Sequence, residues 1–384
     1  MKQETQVPLN SEELLELIFG YIEKVSKERT LDNVLLLLAD LGRELIDADR
    51  CTVWLRDEEA QELYTRVAHG VDELRVPEGA GLVGYAVQTG EDVIINDPYS
   101  DPRFNRETDR KTGYVTREVI VLPIRSGGGE ILGAYQAVNK MSGEGVFTDR
   151  DLKYLRLAAS YSGKSIETAQ LNEEIDRAQR EIIHILGYAG EHRSLETGNH
   201  VSRVAAFATV LGRQMGLSPH DLETLTLASP MHDIGKIGIP DAILQKPGSF
   251  TDEEYAVMKR HSEIGAEILK RGASSLLRVA AEIASGHHER YDGKGYPKGS
   301  SDGEIDPFAR IVAVADVFDA LISDRCYKKA WEPERVHKLF EEERGRQFDP
   351  EVVDALLEVW NEMLATNAQY LEVIENPGRL GHGD

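Results

Sequence analysis

Between Asp149 and Gly190 the chain carries no proline, and its apolar residues keep helical spacing. Leu152, Leu155, Ala159, Ser162 and Ile166 follow intervals of three and four, as do Leu171, Ile175, Ala178, Ile182 and Ile185. A five-residue step separates the two stripes, a phase break in an otherwise heptad-like pattern. One long helix there divides the 384 residues into parts that read differently. The stripe is longer than one domain face needs, which predicts a signalling helix that pairs with a second copy; a core-packing helix is the simpler alternative.

Before this helix the period changes along the chain. Residues 11–46 read as one or two helices, with Leu14, Leu15, Leu17, Ile18, Tyr21, Ile22 and Val25 on one stripe. From residue 49 the runs DRCTVWL and ELYTRVA alternate and are separated by DEEAQ, which predicts a hairpin. DVIIND, EVIVLPI and ILGAYQAVN are further short β-branched runs, the last two joined by RSGGGE. GLVGYAVQTG and DPRFNRETDRKTG between them read as short helices or loops. Helix, strands, then helix predicts an α+β domain with an antiparallel sheet and flanking helices. From 191 onward nearly every segment has helical spacing, as in HVSRVAAFATVLGRQMG and PFARIVAVADVFDALI, so the second part is predicted to be all-α.

Lysine and arginine number 44 against 67 acids, and 44 − 67 gives a net charge of −23. Such a chain is unsuited to wrapping nucleic acid or lying on an anionic membrane, though local cations or metal ions can still hold a small anion. The two cysteines, Cys51 and Cys326, offer neither a disulfide framework nor zinc-ribbon spacing. The longest apolar run, Val34 to Ala39, is far below the roughly 20 residues a membrane span needs. The N-terminus lacks a basic region followed by an apolar one. The expectation is a cytoplasmic protein with no nucleic-acid or membrane partner.

Of 11 histidines only His69 precedes residue 184, so metal or acid–base chemistry is expected in the second half. Glu196 and His200 stand at i and i+4 in LETGNH. His232-Asp233 ends an apolar helix where Gly235 and Gly238 open a turn. His261 is expected mid-helix, His287-His288 at another helix end, and Asp316 lies within an apolar helical stripe. A lone helical histidine is usually a surface or core residue, and an acid inside AVADVF is costly unless paired or coordinated. Taken together, imidazoles with carboxylates suit iron, manganese, zinc, cobalt or nickel, and adjacent ligands such as His232-Asp233 suit more than one ion.

MHDIGKIGIPDAIL and SGHHERYDGKGYP resemble the two signatures of the HD-GYP family, the cyclic di-GMP phosphodiesterase branch of the HD superfamily. The similarity continues through LQKPGSFTDEEYAVMKRHSEIGAEIL and ARIVAVADVFDALISDRCYKKAW and covers about 186–365. It implies an all-α domain with a bi- or trinuclear centre of iron, or alternatively manganese. The implied ligands are Glu196, His200, His232, Asp233, His261, His287, His288 and Asp316. A glutamate at 196 marks the trinuclear type, whose members can carry the substrate past pGpG to GMP. Asp233 and Lys236 take the catalytic positions, and Arg325 and Lys328 match the phosphate-binding positions. Gly295, Tyr296 and Pro297 form the GYP loop, implied to shape the site and to dock diguanylate cyclase (GGDEF) domains; a plain turn is the alternative. Cys326 departs from a frequent proline, and GSSDGEID departs from the usual following segment. Paired ions activate water and neutralise phosphoryl oxygens, and Arg325 can fork onto a phosphate where Lys328 acts as a point charge.

VPEGAGLVGYAVQTGEDVIINDPYSDPRFN, GGGEILGAYQAVNK and VFTDRDLKYL resemble a GAF domain. Asn139-Lys140, Phe147 and Asp151 resemble its cyclic-nucleotide-binding type, but Leu152 stands where a second acid usually follows. The GAF ligand stays unknown, and a dimerising module without ligand is the alternative. The predicted organisation is an N-terminal helical segment at 1–29, GAF at 30–168, a linker helix at 169–190 and HD-GYP at 191–384. The expected function is hydrolysis of cyclic di-GMP to pGpG or GMP under GAF control, in a homodimer formed through GAF and the linker helix. A non-hydrolysing scaffold, or a hydrolase of another cyclic dinucleotide, an alarmone or a dNTP, are the competing readings.

Overall fold

The computed structural model describes residues 10–66, 74–191, 199–324 and 329–375. The chain divides into two compact units, 1–177 and 178–384, with one helix running through the division.

The first unit opens with α1 (Ser11–Lys27) and α2 (Leu31–Leu45). Asn10 and Glu13 form a reciprocal capping box that satisfies the first free amides of α1. Then follow β1 (Ala48–Asp57), β2 (Glu62–Thr65), β3 (Leu74–Pro77), α3 (Gly81–Thr89), β4 (Val93–Ile95), α4 (Arg106–Thr112), β5 (Val119–Arg125) and β6 (Ile131–Lys140). They build one antiparallel sheet in the order β3-β2-β1-β6-β5-β4. Both predicted hairpins are present, β1 with β2 and β5 with β6.

Period-two alternation divides the apolar residues between the two sheet faces. In β5, Ile120, Leu122 and Ile124 pack with α1, α2 and the start of α5 (Asp149–Glu191). Val119 and Val121 face the opposite way, toward Leu82, Val83 and Ala86 of α3. Leu155, Ala159 and Ile166, from the first stripe of the long helix, are buried in the larger of these cores. Leu171, Ile175, Ile182 and Ile185, from the second stripe, are more than half exposed.

The second unit is helical: α6 (Asn199–Gln214), α7 (Pro219–Ala228), α8 (Asp241–Leu244), α9 (Asp252–Lys259), α10 (His261–Leu269), α11 (Ser275–Gly286), α12 (Pro307–Ile322), α13 (Pro333–Glu343), α14 (Pro350–Glu358) and α15 (Trp360–Glu375). Its core gathers Phe207 of α6, Phe318 of α12 and Phe340 of α13, with the Phe207 and Phe318 rings edge to face at 5.0 Å. Ile183, near the end of α5, belongs to this core too. Among the described residues no helix is long and apolar enough to cross a membrane.

Candidate metal centre

Each expected histidine sits at or near a helix end. His200 is the second residue of α6. After α7 the chain tightens into a 3-10 turn over Ser229–Met231, which His232 closes; Asp233 then precedes a second such turn over Ile234–Gly238. The tight winding places Lys236 where its Nζ reaches Asp233 Oδ2 at 2.7 Å. Gly235 is required at this turn, because a Cβ there would stand 1.9 Å from the His261 carbonyl oxygen. His261 is not mid-helix as its sequence suggested. The winding changes at Arg260, whose N–H bonds the Val257 carbonyl at 3.1 Å, so His261 opens α10 against Gly235. His287 caps the C-terminus of α11, His288 follows it, and Asp316 lies on α12.

Two sets of ligand atoms converge, each within 4.8 Å of one another: Asp233, His261, His287 and His288, and Glu191, His200, His232 and Asp233. Asp233 is common to both and so is placed to bridge. Asp316 falls outside these two sets, although its Oδ1 stands 3.5 Å from His200 Nε2.

The imidazoles are held by their outer nitrogens. His232 Nδ1 donates to the Ser229 carbonyl at 2.9 Å, His261 Nδ1 to Met258 at 2.7 Å, and His287 Nδ1 to Ala284 at 3.1 Å. A carbonyl can only accept, so each Nδ1 carries the proton and each Nε2 faces inward. His261 Nε2 and His287 Nε2 stand 3.1 and 3.5 Å from Asp233 Oδ1. His232 Nε2, His287 Nε2 and Asp233 Oδ1 are buried without a hydrogen-bond partner. A buried polar atom left unpaired costs about 1–3 kcal/mol, so three in one place mark a site shaped for a cation. The donor set of imidazole nitrogens and carboxylate oxygens fits a transition-metal ion.

The local field agrees. Burial, with His287 and His261 alongside, pushes His288 well below the usual histidine range, and burial also lowers His287 despite nearby Asp233. For His232 burial acts downward, but Asp233, Asp316 and Glu191 outweigh it and lift the imidazole to about 9. Burial would raise Asp233; Lys236, His232 and His261 overcome it and hold the carboxyl well below the ordinary range. The same negative field favours a bound cation.

Three residues of this site were not singled out from the sequence. Asp319, fully buried on α12, accepts from His200 Nδ1 at 2.7 Å and from Arg203 Nε and Nη2 at 2.5 and 2.9 Å. Burial alone would raise its carboxyl, yet these hydrogen bonds hold it at about 2. Glu191, the last residue of α5, is 1% exposed and meets Lys236 Nζ at 2.9 Å. Asp319 had a visible signal, a second acid three residues after Asp316 in the same apolar stretch, with Arg203 three residues after His200. Glu191 had none.

Glu196, Arg325 and Lys328 lie outside the described residues. In the GYP loop, Gly295 rests on the backbone of 288–290, and Tyr296 covers the histidines. Its ring centroid is 4.8 Å from that of His288 and 6.4 Å from that of His261. Pro297 follows through a cis peptide bond.

In the first unit, the Asn139 series is committed to internal bonds. Asn139 Oδ1 accepts from Arg117 N–H at 2.8 Å, Lys140 Nζ meets Asp151 at 2.7 Å, and Asp151 also accepts from Thr148 N–H. A separate cavity of about 140 Å³ is lined by Trp54, Leu82, Phe104, Asp109 and Gln136, with Arg50 stacked on Tyr114 at its edge.

Residues 191–352 match the family model of the HD domain, and residues 30–166 match that of the GAF domain. The 3′3′-cGAMP-specific phosphodiesterase 2 of Vibrio cholerae is 41% identical over 221 residues, 58% of this chain and 42% of that protein. The cyclic di-GMP phosphodiesterase response regulator RpfG of Xanthomonas campestris is 43% identical over 210 residues, 55% of each chain. A cyclic di-GMP phosphodiesterase of Thermotoga maritima is 45% identical over 183 residues, 48% of this chain and 50% of that one. The chain therefore spans about half the length of these curated relatives.

Proposed function

We propose that this chain, which joins a GAF domain to an HD domain of the HD-GYP type, is a metal-dependent phosphodiesterase that hydrolyses cyclic di-GMP to pGpG or GMP. The observation that carries this reading is the inward-facing array of His200, His232, Asp233, His261, His287 and His288, buried except for the half-buried His288, with three of its polar atoms unpaired. The relatives' printed activities support the substrate class.

These residues and Glu191 would hold a bi- or trinuclear centre of iron or manganese, with Asp316 and Glu196 as the implied further ligands. When bound, such ions activate water and neutralise phosphoryl charge. The chain's own groups set the geometry of the reaction. Asp319 and the backbone carbonyls fix the orientation of the imidazoles. Lys236, held beside Asp233, offers a preorganised ammonium to a phosphoryl or leaving oxygen. The family resemblance assigns the substrate's phosphates to Arg325 and Lys328, and Tyr296 walls the site beside His288.

The GAF domain, assigned to 30–168, modulates this activity through the 169–190 helix in a cytoplasmic homodimer, and the GYP loop offers a surface to diguanylate cyclase domains. The identity to a 3′3′-cGAMP-specific enzyme favours one second reading, a preference for the mixed dinucleotide. Anaerobic purification with elemental analysis, followed by product chromatography on both dinucleotides, tests these readings. Wild type is expected to carry metal and release linear products, and Asp233→Ala to lose hydrolysis and metal together. A metal-free wild type that releases nothing, or an unchanged Asp233→Ala, would sink the proposal.

A further inference from the structure

We infer that Glu191 is the terminal carboxylate ligand of the second metal position, delivered to the site by the last turn of α5. The inference rests on the metal-dependent reading above and assigns a residue to which the family resemblance gives no role.

The argument begins with how α5 is seated. A Cβ on Gly187 would stand 2.5 Å from the Pro230 carbonyl oxygen, and one on Gly190 would stand 2.9 Å from Ile234 Cα and 3.2 Å from the Asp233 carbonyl oxygen. The final turns of the helix thus lie directly on the backbone that carries His232 and Asp233, with no side chain between. This seat turns Glu191 inward, where it is 1% exposed. One carboxylate oxygen falls within 4.8 Å of ligand atoms on His200, His232 and Asp233.

The charge balance then identifies what the carboxylate is for. Glu191 and Asp233 share the Lys236 ammonium, at 2.9 and 2.7 Å, and Asp316 adds a third negative charge beside His200. Asp319 is already matched by Arg203. Glu191, Asp233 and Asp316 thus gather carboxylate oxygens around inward-facing imidazoles, a negative field that favours bound cations. The first position has Asp233 with His261, His287 and His288. The second has two imidazoles, and without Glu191 its only carboxylate within the set is the one it shares.

The test is metal stoichiometry of the full chain, stripped by chelator and titrated with Mn(II), read by elemental analysis and calorimetry. Wild type is expected to take up at least two ions. Glu191→Gln is expected to bind one ion fewer while holding the first within about threefold of wild-type affinity. Glu191→Asp, which keeps the charge on a shorter arm, is expected to regain the missing ion with an affinity about 10–100-fold weaker. Should Glu191→Gln fail to fold, the weakened second affinity of Glu191→Asp carries the same test. A metal-binding wild type with Glu191→Gln or Glu191→Asp binding the same ions equally well overturns the assignment and leaves the phosphodiesterase reading standing. A wild type that binds no Mn(II) overturns both.

Discussion

The pair Asp319 and Arg203 holds two separable tasks, and one series of variants can pull them apart. Asp319 is fully buried, Arg203 is 5% exposed, and they are joined by two hydrogen bonds of 2.5 and 2.9 Å. Asp319→Ala leaves the guanidinium buried without its partner, a change that costs about 3–5 kcal/mol. A unit the size of 178–384 shifts its melting temperature by about 2–4 °C per kcal/mol, so its transition is expected to fall by about 6–20 °C. The variant also removes the acceptor that fixes the His200 ring, at 2.7 Å, which lowers metal affinity by about 10–100-fold. The double variant Arg203→Met with Asp319→Leu replaces the pair by apolar side chains, a change that is often neutral or stabilising. Its melting temperature is expected to recover most of the loss but to stay below wild type, since the buried His200 Nδ1 loses its acceptor at a cost of about 1–3 kcal/mol, and its metal affinity stays low for the same reason. Calorimetric melting of the apo chain and Mn(II) titration read the two effects separately. A double variant that binds metal as wild type does would refute the idea that Asp319 orients His200. An Asp319→Ala variant that melts within about 2 °C of wild type would refute the burial argument.

Two more perturbations follow from α5. Gly190→Ala drives a Cβ against the Ile234 backbone, which has no flexible end to yield; it is expected to weaken the second ion's binding and slow cyclic di-GMP hydrolysis at least tenfold, whereas unchanged Mn(II) titration and turnover would show that the seat is not tight. Ile175→Asp with Ile182→Asp places charge in the exposed stripe where Ile175 is 61% and Ile182 57% exposed; sedimentation is expected to shift from dimer to monomer, and an unchanged dimer would move the interface elsewhere.

How much of this was legible in the sequence depends on which kind of regularity carried it. Five of the six strands were readable because both faces of the sheet are apolar and the runs are bounded by turn residues, so RSGGGE announces one hairpin as plainly as EVIVLPI announces its strand; the four-residue β3 was not read. The long helix was readable too, but its phase break hides a physical change. Leu155 and Ile166 are core residues of the first unit, whereas Leu171 and Ile175 face solvent in this chain. Helical spacing states that a face is apolar, not what covers it. The histidines stood out because imidazole and carboxylate are conspicuous in apolar helices. Their supports were harder to see: the carbonyls of Ser229, Met258 and Ala284 belong to backbone that any sequence supplies.

Glu191 marks where such reading ends. It stands in the solvent-like sequence GEHRS, one acid among 67 acidic residues, and nothing in its neighbours distinguishes it from a surface charge. What sets it apart is the pair of glycines that lets α5 lie on the backbone of 230–234, a contact between segments about 40 residues apart. The same helix contributes Leu155 and Ile166 to the core of the first unit and ends in a carboxylate beside Lys236. A rotation of that helix by one residue's turn, about 100°, would carry Glu191 off the site's face altogether. On the reading proposed above, the seat of this helix end sets Glu191 and its contact with Lys236 together, so a change in that seat would alter the proposed ligand and the lysine's partner in one movement.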